Sequence, residues 1–145
     1  MIAFYALFTV ALGLAFVLGG RPERVGAAIH LALFSFQGAS YLILPTTFAT
    51  VDLVSLATDC LGMLGFGWLA LNANRFWPIW AASIQLLSIS GHFARWIDLK
   101  IDPYAYVILT YYPTAAGLFV LITGVLVHHR RIRTLRVDTP WVAWD

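Results

Sequence analysis

In a chain dominated by apolar residues, Asp59, His92 and Arg95 are the side chains best suited to hold a proton or a polar ligand, and each falls on a stripe of other polar groups. Gln85, Ser88, His92 and Arg95 follow at offsets of 3, 7 and 10, which puts them on one face of a helix. Asp52, Ser55, Asp59 and Gly62 repeat those offsets, and His30, Gln37 and Tyr41 align at 7 and 11. Asp59 comes seven residues after Asp52, and His92 five before Ile97. At about 1.5 Å per residue these positions lie roughly 10 and 8 Å inside their runs, nearly level with each other. An unpaired carboxylate in hydrocarbon costs about 2.5–3.5 kcal/mol, so Asp59 is expected to pair with His92 or Arg95. Two uses fit: an outward-facing relay or ligand pocket lined by Asp59, His92, Arg95, Gln85, Ser88, Gln37, Tyr41 and Tyr111, or a polar clasp between two helices. One acid and one histidine make no catalytic set, which favours the clasp.

His30 and His92 together raise the question of a b-type haem. His30 stands near the opposite end of its helix from the level of His92, and the two differ in depth by roughly half of the ~30 Å apolar core. Axial ligands of one iron cannot be so far apart, so an intrachain bis-histidine haem is not expected. His128-His129 reads as a solvated helix end, and no metal site is expected. No nucleophile elbow, P-loop, HExxH, CxxC or paired-carboxylate motif occurs, which argues against an enzyme. No cofactor is expected; contacts with a quinone, a pigment or lipid are compatible with the stripes.

These residues must be carried by membrane-spanning helices. Five apolar runs occupy most of the 145 residues: Ile2 to Gly19, Val25 to Leu44, Val51 to Leu71, Phe76 to Ile97 and Pro103 to Val127. With 61% hydrophobic and 11% charged residues, the chain has too little polar surface to coat a water-soluble globule. About 20 apolar residues suffice to cross a bilayer. The expected fold is an all-α integral membrane bundle of five up-and-down helices over residues 1–129, followed by a basic, tryptophan-containing cytoplasmic tail over 130–145. The first run has no basic n-region, and Arg21-Pro22-Glu23-Arg24 follows it where a signal peptide would have small residues, so it is read as a retained helix. Pro22, Asp52, Pro78 and Asp102-Pro103 mark helix starts, and Pro113 should kink the fifth helix. Cys60, alone of its type, is expected as a small buried side chain.

Orientation follows from the basic residues, which are retained on the cytoplasmic side. Arg21, Arg24, Arg75, Arg130, Arg131, Arg133 and Arg136 fall on one side of the expected bundle, and only Arg95 and Lys100 on the other. The protein is therefore expected N-out and C-in. The basic tail then faces anionic lipid, and nucleic acid is not an expected partner. Trp77, Trp80 and Trp96 are placed as interfacial anchors. Ala11, Ala15 and Gly19 recur every four positions, a spacing that lets helices approach closely, either within the bundle or against another subunit. Trp141 and Trp144 end a tail that would fray unless lipid or a partner held it.

Gly19-Gly20-Arg21-Pro22-Glu23-Arg24, Asp59, and Arg75-Phe76-Trp77-Pro78-Ile79-Trp80 leading to Gln85-Leu86 and His92 resemble a group of small polytopic bacterial inner-membrane proteins to which no activity is attached. The resemblance implies the inner membrane as location. Taken together, these features lead to the expectation of a non-enzymatic accessory or assembly subunit of a larger respiratory or photosynthetic membrane complex, docked through Ala11, Ala15, Gly19, Arg130, Arg131, Arg133, Arg136, Trp141 and Trp144. The alternative is a small binding or transport module built on the Asp59/His92 pocket.

Overall fold

The computed structural model describes residues 2–44, 51–97, 102–135 and 138–142, and over these the chain is built of helices: α1 (Ile2–Leu18), α2 (Arg21–Ile43), α3 (Leu53–Asn72), α4 (Trp77–Ile97) and α5 (Pro103–Leu135). Each start has a local cause. Glu23 Oε2 accepts the Gly20 N–H at 3.0 Å, and with Pro22 in the first turn this begins α2 four residues before the apolar run does. Asp52 Oδ1 accepts the N–H groups of Val54 (3.0 Å) and Ser55 (3.1 Å), and Asp102 Oδ1 those of Tyr104 (2.7 Å) and Ala105 (3.3 Å). Both carboxylates satisfy donors that a helix cannot satisfy for itself. Pro113 lies inside α5, and α5 continues to Leu135, beyond the expected end of the bundle at residue 129.

Three of the five helices are long and apolar enough to cross a membrane: Arg21–Ile43, Leu53–Asn72 and Tyr104–Thr134. α1 is apolar but shorter, at 17 residues. α4 is long enough at 21 residues, but Gln85, three serines, His92 and Arg95 lower its apolarity. Large apolar side chains such as Leu42, Leu64, Leu71, Phe76, Leu86 and Leu87 stand exposed on the outer faces, an arrangement that suits a hydrocarbon surround better than water.

α4 packs against α3 and α5, α1 against α5 and α2, and α2 against α3 and more sparsely α5. Ala11 and Ala15 are wholly buried beside Ala27, Phe66, Trp77, Leu118 and Val125. A Cβ on Gly19 would run into the Ala15 carbonyl and the Glu23 side chain. Ala11 and Ala15, of the small-residue stripe of α1, therefore pack within the chain.

The end carrying residues 19–24, 72–77 and 128–142 is organised by a buried ion pair. Glu23, with no exposed surface, receives Trp77 Nε1–H at 3.1 Å and Arg75 Nε–H at 3.2 Å on Oε1. Arg75 Nη2 donates to His128 Nδ1 at 3.2 Å and pairs with Asp138. Its Nη1 donates to the carbonyls of Asn74 (2.9 Å) and Thr139 (3.3 Å). The tail thereby folds back onto the α3–α4 turn, where Asn74 N–H meets Pro140 O at 3.1 Å and Val142 N–H meets Asn72 O at 2.8 Å. The Trp141 ring lies 6.1 Å from that of Trp68.

This arrangement corrects several expectations. Trp77 is buried and bonded to Glu23 instead of standing in an interface, whereas Trp80 and Trp96 are exposed. His128 is buried at 3% exposure, because Arg75 gives it a hydrogen bond that water would otherwise supply. Trp141 packs on its own chain, beside Trp68 and the α3–α4 turn. Cys60 is exposed: it follows Asp59 by one residue, a turn of about 100° that carries it off the buried stripe. Arg130 and Arg133 are exposed, and half-buried Arg131 donates to Thr139 Oγ1 at 3.4 Å. Arg136, Trp144 and the side chain of Tyr111 lie outside the described residues.

Candidate functional site

The three polar stripes turn inward, as the absence of hydrogen-bonding partners in an apolar surround requires. Asp52 at the N-cap of α3, Ser55, Thr58 and Asp59 within it, and Ser88, His92 and Arg95 of α4 are all buried. Asp59 Oδ2 lies 3.1 Å from His92 Nε2 and accepts the Ser88 hydroxyl at 2.5 Å. His92 Nδ1 is 2.8 Å from the Tyr106 hydroxyl, which itself accepts the Asp52 backbone N–H at 3.0 Å. When the Tyr106 hydroxyl donates to Nδ1, Nε2–H is left to donate to Asp59, an assignment made by completing the network. The imidazole is held between a tyrosine hydroxyl and a carboxylate.

A second line of bonds adjoins the first. Tyr41 donates to Asp52 Oδ2 at 2.5 Å, and Gln37 Nε2 reaches the Tyr41 hydroxyl at 3.1 Å and Ser55 Oγ at 3.0 Å. Of the two partners expected for Asp59, His92 is the one it meets; the guanidinium carbon of Arg95 lies 5.7 Å from the centroid of the Tyr106 ring, within range of a cation–π attraction. α2, α3, α4 and α5 thus each contribute to one buried polar network.

Beside this network is a cavity of about 570 Å³, within the size range of small-molecule sites. Its polar wall comprises His30, Gln37, Tyr41, Ser55, Asp59 and Gln85, among others, and Phe4, Phe8, Leu33, Phe34 and Phe66 supply apolar surface. The cavity lies where α2 and α5 approach each other sparsely. Two of its walls come close to glycines: a Cβ at Gly62 would meet the Gln85 amide, and one at the lining residue Gly117 would come within 3.2 Å of His30 Nε2.

The structure therefore gathers Asp59, His92 and Ser88 into one cluster, Gln37 and Tyr41 into the adjoining one, and sets Gln85 on the cavity wall. The sequence reading missed Tyr106, although Tyr106, Thr110, Pro113 and Gly117 follow at offsets of 4, 7 and 11, the signature of an inward stripe. It also missed Glu23, which lies in a charged turn that reads as solvated. Comparison with protein-family models, with curated proteins and with solved structures returns no match for this chain.

Proposed function

We propose that this protein is a five-span, up-and-down bundle of the bacterial inner membrane, N-out and C-in, that binds a small amphipathic molecule in the central cavity with Asp59 as its polar anchor. The observation that carries the reading is a carboxylate held by Ser88 and His92 at the wall of a cavity whose other surfaces are largely aromatic and aliphatic. Such a lining recognises an apolar body bearing a few hydrogen-bonding atoms. The membrane frame draws support from α5, whose 33 residues extend about 50 Å, more than the ~30 Å hydrocarbon thickness, so its basic end projects beyond it.

The accessory-subunit reading has less behind it. Its docking residues Ala11, Ala15 and Gly19 are spent inside the chain, and Trp141 is occupied by the α3–α4 turn and Trp68.

Gly38→Phe provides the test. Gly38 lines the cavity, and a Cβ there meets nothing within 4 Å, so a large side chain enters open space. Native mass spectrometry of protein extracted from membranes should show a small molecule retained by the wild type and lost, by about tenfold or more in occupancy, in Gly38→Phe, with thermal stability maintained. Equal retention in both proteins would remove the cavity as the binding site.

A further inference from the structure

The cavity offers two hydrogen-bond acceptors, and this narrows the chemistry of its occupant. His30 Nδ1 lies 3.0 Å from the Gly26 carbonyl, and facing a carbonyl it must be the donor, so Nε2 of the neutral ring is an acceptor. That nitrogen points toward Gly117, another residue of the cavity wall. Asp59 uses Oδ2 for Ser88 and His92, which leaves Oδ1, and a carboxylate oxygen is acceptor only.

Their separation can be read from the packing. A Cβ on Gly62 would touch both Leu33 and Gln85, so these three residues share one level. His30 lies three residues before Leu33 on α2, and Asp59 three before Gly62 on α3. Because α2 begins where α3 ends, in the Glu23–Arg75 cluster, the two offsets point in opposite directions. They place His30 and Asp59 about 9 Å apart along the helix axes.

Resting on the cavity reading above, we propose that the occupant is a tailed para-dihydroxybenzene, a quinol, with one hydroxyl donating to Asp59 Oδ1 and the other to His30 Nε2. A six-membered ring with oxygens at opposite corners, extended at each end by a hydrogen bond of about 2.8 Å, spans a gap of this order. Phe66, whose ring centroid is 4.8 Å from that of His30, gives the quinol ring an aromatic wall. Phe8 and Phe34, centroids 4.7 Å apart, supply an apolar exit for the tail on the α1–α2 side. The oxidised quinone has acceptors where the quinol has donors, and would set them against the two acceptors of the site, so the cavity distinguishes the two redox forms by binding alone.

Equilibrium dialysis of the full-length, detergent-solubilised protein against a decyl-tailed hydroquinone, kept reduced, and against its quinone tests this. The wild type is expected to bind the hydroquinone at least about tenfold more tightly, since each form differs at two hydrogen bonds. Asp59→Asn should narrow that preference: its amide oxygen stays toward Ser88 and His92, and its NH₂ then faces the cavity and can donate to a quinone carbonyl, while His30 Nε2 still favours a hydroxyl. Gly117→Ala, which sets a methyl against His30 Nε2, should weaken the hydroquinone and leave the quinone unchanged. Equal affinities in the wild type, or a parallel loss of both forms in Asp59→Asn, would overturn the assignment. Binding of neither form would also overturn it; if the ligand lost in Gly38→Phe were still retained by the wild type, the cavity reading would stand without it.

Discussion

Two carboxylates divide the work of this small chain, and their surroundings say which does which. Glu23 is enclosed by an arginine, an indole and a backbone N–H, all donors, and it lies apart from the cavity. Its role is cohesion. Among the described residues Asp59 has donors on Oδ2 alone, and it borders open volume. Glu23→Ala, which takes the acceptor from the buried Trp77 N–H and from Arg75 Nε while Arg75 keeps Asp138, should lower stability by about 1–3 kcal/mol, the usual cost of a buried donor left unsatisfied. Asp59→Asn retains an acceptor for Ser88 and His92 and should cost much less. Denaturant titration of the two variants in detergent, followed by circular dichroism, checks the ordering; equal losses would contradict the division of roles.

At the scale of elements, Trp77 is the wedge between α2, α4 and α5. A Cβ on either Gly26 or Gly124 would press into its ring, and that ring is tethered at Nε1 and has no free direction to move. Gly26→Ala and Gly124→Ala should each destabilise by about 1–3 kcal/mol, the cost of overpacking. Gly67→Ala, with nothing within 4 Å, should gain up to about 1 kcal/mol from helix propensity. Thermal melts of the three variants would show whether the glycines of α2 and α5 are there for this ring. The tail belongs to the same scale: cutting after Leu135 removes Asp138 and the backbone bonds to Asn72 and Asn74.

Helices and their caps were legible because their causes are local: Asp52, Pro22 and Asp102-Pro103 act within a turn of themselves. Inward stripes were legible too, since Asp59, Ser88 and His92 repeat at helical offsets, and equal depth was enough to bring Asp59 to His92. What escaped was pairing across long separations. Glu23 meets Arg75 and Trp77 over 52 and 54 residues, and nothing near Glu23 distinguishes it from a solvated loop acid. Tyr106 sits on an inward stripe of α5, but that stripe does not say which groups it meets, and these are His92 on α4 and the backbone of Asp52 ahead of α3.

For the whole molecule, the polar groups concentrate in two networks, one around Glu23 and one around Asp59–His92–Tyr106, with the cavity beside the second. This distribution fits a membrane protein whose middle is reserved for an amphipathic guest. With Cys60 replaced by serine, a cysteine at the exposed position Thr134 should be labelled only from the cytoplasmic side of cells, and one at Ile97 only from outside, by the positive-inside rule. The most direct test of the account is photolabelling in reconstituted bilayers with a single-chain amphiphile bearing a diazirine next to a hydroxylated head, followed by peptide mapping. The account predicts adducts on the cavity-lining residues Gln37, Gly38 and Thr114, abolished by Gly38→Phe. Adducts confined to the outward-facing Leu42, Leu64 and Leu86, unchanged by that substitution, would contradict it.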